Sequence, residues 1–159
     1  MLSRKRLQRK QKRQKMQNND SDATRSLFQS IQGMSVSEKL DLARKAGKEA
    51  RSILMRDTNR LVQLAVIDSP KITESEVLLI ASNRQIHDEV LRHISTNREW
   101  MKNYQIKLAL VNNPKTPLPI ALKQMPYLKQ RDLALLAKSR AVPRAIVISA
   151  QQRLREVKR

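Results

Sequence analysis

TNRLVQ from Thr58, DSPKIT from Asp68, SNRQIH from Ser82, TNREWM from Thr96, NNPKTP from Asn112 and KSRAVP from Lys138 are six forms of one phrase. Each has a small polar pair, then Arg or Pro, then any residue, then an apolar residue or Thr. A run with Leu, Ile, Val and Ala at helical spacing follows every copy. The anchors Arg60, Pro70, Arg84, Arg98, Pro114 and Arg140 are separated by 10, 14, 14, 16 and 26 residues, and the last gap has room for one extra helix. So short a period holds one helix of roughly eight to eleven residues plus a turn, and a helix of that length is not stable alone in water. It has to stack on its neighbours, as in a helical repeat array.

The phrase is read as a helix start. Thr58, Asp68, Ser82, Thr96 and Asn112 are expected to supply the side-chain oxygen that a first helical turn needs, and Pro at such starts removes only an N–H that has no helical partner. Ser35-Val36-Ser37-Glu38 and Thr73-Glu74-Ser75-Glu76 match capping boxes. Gly47 is expected to mark a break or a close contact, and Pro126 to separate the two helices of the long gap. The expected inward faces are Leu40, Ala43, Ala46; Ala50, Ile53, Leu54; Leu61, Leu64, Ala65; Val77, Ile80, Ala81; Val90, Leu91, Ile94; Ile106, Ala109, Leu110; Leu118, Ala121, Leu122, Met125; Leu133, Leu136, Ala137; and Ile146, Val147, Ala150, Leu154. Before them, Leu27, Phe28 and Ile31 form an apolar cluster suited to a short helix docked on the rest.

Composition agrees with an all-α chain. Hydrophobic residues make up 40% of the 159, aromatics only 3%, and there are two Gly and no NG or DG hairpin signal. The absence of Cys excludes disulfides, thiol catalysis and cysteine metal sites, and it fits a reducing, cytoplasmic setting. Apolar runs reach only four or five residues, too short for a membrane span, and no apolar segment follows the basic start as a secretory signal requires.

The net charge of +19 lies at the two ends of the chain. Residues 1–16 hold Arg4, Lys5, Arg6, Arg9, Lys10, Lys12, Arg13 and Lys15 with no acid, residues 17–100 balance twelve bases with twelve acids, and residues 101–159 set thirteen bases against Asp132 and Glu156. The first segment has no face to bury and is expected to be disordered when free and helical on an anion. A solubilising tail and a nuclear-localisation patch are the other readings of such a run. An excess of this size predicts an anionic partner, most often nucleic acid. Lys115, Lys123, Lys129, Arg131, Lys138, Arg140 and Arg144 are, with the tail cations, the expected phosphate-binding residues.

At the anchors, antiparallel helices should place Arg60, Arg84, Lys115 and Arg140 along one rim and Lys71 and Arg98 along the other. Arg84 and Arg98, in the charge-balanced part, are expected to hold the stack by bonding carbonyls of the preceding turn.

The repeat pattern resembles the HEAT-like α-solenoids, and more closely the leucine-rich-repeat variant proteins, whose short helices are joined by turns like VNNPKTP and IASNRQI. Through KEARSILMRDTNRLVQLAVIDSPKITESEV and the NNPKTPLPIAL to LAKSRAVP region it is also similar to a family of small bacterial repeat proteins. The resemblance covers about residues 35–152. It implies a short right-handed α-solenoid that binds partners, over residues 35–159, with residues 1–34 as basic tail and linker. It carries over no catalytic residue, and the cysteine cluster of some leucine-rich-repeat variant proteins is missing here.

Enzymatic signals are weak. His87 and His93 stand six apart, not the three or four that two ligands on one helix face need, so a metal site is not expected. Asp132 is a lone acid in a basic region, as in HEAT-like DNA glycosylases, but the chain lacks the aromatics that grip an exposed base, so helix capping is its expected role. Trp100 is expected to pack rather than to stack on a base. The sequence thus predicts a non-enzymatic protein, without cofactor, that binds nucleic acid, RNA or ribosome-associated ahead of DNA, or another polyanion. The alternative is a protein-interaction scaffold whose tail meets an acidic partner.

Overall fold

The computed structural model of the chain describes Arg6 and residues 22–156. Every regular element among these residues is helical, and helix makes up 71%. Helical residues 22–32 (α1) are followed by α2 (Val36–Lys45), α3 (Lys48–Leu54), α4 (Arg60–Ile67), α5 (Glu74–Ser82), α6 (Asp88–Thr96), α7 (Tyr104–Asn112), α8 (Leu118–Gln124), α9 (Gln130–Leu136) and α10 (Arg144–Glu156). Short 3-10 turns, Trp100–Lys102 and Met125–Tyr127, precede α7 and α9. Pro126 therefore divides the long gap as expected. The tail expected to be disordered lies outside the described residues except for Arg6, which is exposed.

Both capping boxes form. The Ser35 and Thr73 hydroxyls accept from the N–H groups of Glu38 and Glu76, and each carboxylate returns to the backbone N–H of its cap residue. The Ser35 hydroxyl and N–H hold the Glu38 carboxyl below the ordinary glutamate range. Gly47 caps α3, and a Cβ there would meet nothing within 4 Å, so it marks a break and not a close contact.

The recurring phrase has a different role from the one its sequence suggests. The observed helix caps are Asn59, Thr73, His87, Asn103, Pro117 and Lys129. Ser82, Thr96 and Asn112 instead end α5, α6 and α7, where their side chains donate back to the carbonyls of Leu78, His93 and Leu108. Asp68 likewise closes α4. The second polar residue shapes the turn. The side-chain oxygens of Asn59, Asn83, Asn97, Asn113 and Ser139 each accept the N–H two residues on, at 2.9, 2.9, 3.0, 3.0 and 3.2 Å. Such Asx-type turns reverse the chain without glycine, and no described residue has positive φ. After Asn83, Asn97 and Asn113 a further helix begins only five to seven residues later, at Asp88, Tyr104 and Leu118.

Helices two apart in the chain pack on one another: α2 on α4, α4 on α6, α5 on α7 and α8 on α10. The larger of two buried clusters runs from Ile31 and Ala43 to Ile106 and Leu110, and the smaller from Val111 to Ile146 and Ala150. Of the cluster expected in α1, Ile31 enters the core, Leu27 packs against it and Phe28 stays exposed. Most expected faces are inward, with corrections in α4 and α8. In α4 the buried residues are Val62, Gln63, Val66 and Ile67, while Leu61 is 50% exposed and Leu64 and Ala65 lie at the margin. Leu118 is exposed as well.

Two buried side chains lock turn to turn. The Gln63 amide donates to Asp57 O at 2.8 Å and accepts the His87 N–H at 3.0 Å, and the His87 ring donates to Thr58 O at 2.8 Å. Asn113, 3% exposed, donates to Ala81 O at 2.8 Å and Asn83 O at 2.9 Å. Asn113→Asp replaces that donor by an oxygen facing two carbonyls. It should lower the unfolding free energy by about 2–3 kcal/mol in urea titration, because buried acceptors then go unpaired; a loss below about 0.5 kcal/mol would mean the contact is dispensable.

Candidate functional site

Three helix ends carry the C-terminal cations. Lys115 sits in the α7–α8 turn held by Asn113, and Lys123 on the last turn of α8. Lys129 and Arg131 flank the start of α9, where the Tyr104 hydroxyl accepts the Lys129 N–H. Lys138 and Arg140 belong to the turn between α9 and α10 and Arg144 opens α10, and Arg140 and Arg144 both line a cleft of about 330 Å³ with Val142, Val147 and Gln151. All seven side chains are exposed. Lys115 precedes α8 and Lys123 ends it, so the seven are spread over more than one end of the helices.

Charge balance, not pairing, separates this region from the rest, since Arg44, Lys45, Lys48, Arg56, Arg84 and Arg98 form no ion pair among the described residues either. Lys39 meets Asp57 at 2.8 Å, Arg51 meets Glu76 at 2.8 Å, Arg92 meets Asp88 at 3.4 Å, Lys102 meets Glu99 at 2.7 Å, and Arg60 meets Glu89. None of Lys115, Lys123, Lys129, Arg131, Lys138, Arg140 and Arg144 pairs with an acid among the described residues. The one acid near them is already engaged. Asp132 accepts the Tyr104 hydroxyl, which in turn accepts the Lys129 N–H at 3.0 Å. Burial and the Asp132 bond push the Tyr104 hydroxyl above its ordinary range. Asp132 therefore ties α9 to α7; the cap of α9 is Lys129, whose own side chain makes no capping bond.

The anchor cations divide. Arg60 is neutralised by Glu89, and Lys71 donates to Lys45 O at 3.2 Å. Arg84 and Arg98, expected to brace the stack, are exposed and bond no carbonyl among the described residues. The bracing is done by Gln63 and Asn113, neutral amides that reach both a donor and an acceptor from a buried position. The hydrogen bonds from Gln63, His87 and Asn113 join the turns around residues 57–60 and 85–87, and those around 81–83 and 113.

His87 is the cap of α6, and His93 lies 2.9 Å from Asp68 with its ring 6.3 Å from that of Trp100. No group of three or more His, Asp or Glu side chains among the described residues could hold a metal ion. Trp100 is half-buried against the larger core. Among the tail residues Arg4, Lys5, Arg6, Arg9, Lys10, Lys12, Arg13 and Lys15, only Arg6 is described. No helix among the described residues is long and apolar enough to cross a membrane.

Sequence reasoning passed over Lys107 and the two tyrosines. The Lys107 ammonium stands 4.9 Å from the Tyr127 ring centre and that of Lys129 stands 4.8 Å from Tyr104. The visible signal was the pattern Lys123, Tyr127, Lys129 around Pro126, an aromatic inside a basic stretch. No protein-family profile, curated protein or solved structure matches the chain.

Proposed function

We propose that this protein is a non-enzymatic, cytoplasmic nucleic-acid-binding protein, gripping phosphate with its basic tail and with the cations of its C-terminal half. The observation that carries the reading is the set of seven exposed Lys and Arg side chains from Lys115 to Arg144 that no acid neutralises. Solvent-exposed cations cost little to hold apart in salt, but their repulsion favours any polyanion that replaces the condensed counterions. The packing of α2, α4 and α6 on one another, with α5 on α7, supports a short α-solenoid as the scaffold. Alternate turns, which antiparallel helices place on one rim, would then present their cations at intervals along a phosphate backbone. RNA, including ribosomal RNA, is placed ahead of DNA.

The test is a gel shift with RNA and DNA oligonucleotides at 50 and 200 mM salt, using the full chain and one lacking residues 1–16. Six to ten phosphate contacts give a logarithmic salt slope of roughly −5 to −10 on duplex. The shortened chain should show a flatter slope, and neither should discriminate strongly among sequences, since phosphate contacts position without reading bases. Binding that is unchanged between the two salt concentrations would refute the reading.

A second reading is supported by the charge-balanced half, where Leu61 and Leu79 are 50% and 67% exposed. Leu79 lines a cleft of about 260 Å³ with Lys48, Arg56 and Ile72, which suits a protein scaffold. An absence of nucleic-acid binding in the gel shift would leave this reading in its place.

A further inference from the structure

Tyr127 is 61% exposed, although Met125 and Leu128 on either side of it are 1% and 7% exposed, both in the smaller core. The 3-10 turn Met125–Tyr127 is thus pinned on both sides, and Pro126 fixes one of its backbone angles. A tyrosine ordinarily lays its ring on the protein and leaves only its hydroxyl in water. Here the backbone is held while the ring projects, and its hydroxyl has no partner among the described residues.

The surroundings of the ring are cationic. Lys107 from α7 reaches to 4.9 Å from its centre, and Lys123 and Lys129 flank it in sequence. The other three aromatics are placed differently. Tyr104 is bonded to Asp132 and Lys129, Trp100 packs on the core, and Phe28 lies on α1. Tyr127 is the aromatic that combines high exposure with unpaired Lys neighbours.

We infer that Tyr127 is a base-stacking platform and that the nucleic acid bound by the C-terminal half is single-stranded. This rests on the nucleic-acid reading above and narrows it. Every base has a π-face, so stacking on an aromatic tolerates any sequence, but the face is available only when the base is not stacked within a duplex. Lys107, Lys123 and Lys129 hold the phosphates on either side, and the pinned turn limits the freedom the ring loses on binding.

The experiment measures fluorescence anisotropy of a labelled 12-nucleotide oligouridylate and of a 12-base-pair RNA duplex with full-length wild type, Tyr127→Ala and Tyr127→Phe. Tyr127→Ala should weaken single-strand binding about 5- to 100-fold, the effect of losing one stacked base, and change duplex binding less than about twofold. Tyr127→Phe should stay within about twofold of wild type on both. The salt slope should be unaltered, since no charge is removed. Circular dichroism of both variants should match wild type because the ring is exposed. Equal loss on strand and duplex, or no loss on either, overturns the stacking platform while leaving a phosphate grip standing. Failure of wild type to bind either probe overturns both the platform and the reading beneath it.

Discussion

Replacing Glu76 by Ala should lower the unfolding free energy by about 3–5 kcal/mol, the cost of leaving one partner of a buried ion pair alone. Arg51 and Glu76 are 4% and 8% exposed. The Arg51 Nε and Nη2 donate to the two carboxylate oxygens at 2.9 and 2.8 Å, and Nη1 donates to Ala46 O at 2.8 Å. The same carboxylate accepts the Thr73 N–H at 3.0 Å and its hydroxyl at 2.7 Å, so one residue closes the α5 cap and binds α3 to α5. Removing it strands a guanidinium and opens a capping box. Joint replacement, Arg51→Met with Glu76→Leu, removes both charges and should recover most of the loss.

The pH dependence follows from the same geometry. Burial works to raise the Glu76 carboxyl, but the Arg51 and Thr73 hydrogen bonds outweigh it and hold the group below the ordinary glutamate range. A carboxyl whose folded value is depressed stabilises the fold fully above its unfolded value, about 4.3, and that stabilisation is lost as pH falls through the folded value. Urea titrations at pH 7 and between pH 4 and 2 should therefore show wild type losing its advantage over Glu76→Ala in acid. A difference under about 1 kcal/mol at pH 7 would show that the pair is not a structural tie.

Reversing Lys129, Arg131, Lys138 and Arg140 to Glu together should reduce nucleic-acid affinity by about three orders of magnitude at 0.1 M salt. Each phosphate contact contributes close to 0.9 to the logarithmic salt slope on duplex, so four contacts flatten it by about 3–4, and the variant and wild-type lines should converge toward 1 M salt. The fold should persist, since the four side chains are exposed and break no ion pair when changed. Lys129 forfeits its place over Tyr104, at a cost of about 0.5–1 kcal/mol. Reversing Arg44, Lys45 and Lys48 serves as the comparison, because that half of the chain carries balancing acids. Equal effects from both triple and quadruple variants would mean that net charge alone, and not position, governs binding.

Some of this was legible in the sequence and some was not. The capping boxes at Ser35 and Thr73 depend on residues three apart, so local spacing sufficed. The repeated Asn of NR and NP marked four of the six turns, with Ser69 and Ser139 in its place at the others, but whether it starts a helix or shapes the turn after one depends on where the previous helix stops. In α4, RLVQLAVI is apolar at almost every position, and periodicity could not fix which stripe faces inward; Gln63 went inside because Asp57 O and His87 N–H satisfy both ends of its amide. The Arg51–Glu76 and Tyr104–Asp132 ties join residues 25 and 28 positions apart, and nothing local couples them. The exposed cations were visible as a charge imbalance. Their freedom from partners was not, because pairing is decided by the fold.

Helix α7 serves both interiors. Ile106 and Leu110 are buried in the larger cluster, while the next residue, Val111, begins the smaller one, against which Tyr104 and Leu108 also pack. Cooperativity between the two halves of the protein therefore runs through α7 and the Asn113 amide that follows it. Local opening begins where least apolar surface is buried, so α8, α9 and α10 can loosen together while the N-terminal helices keep their own core.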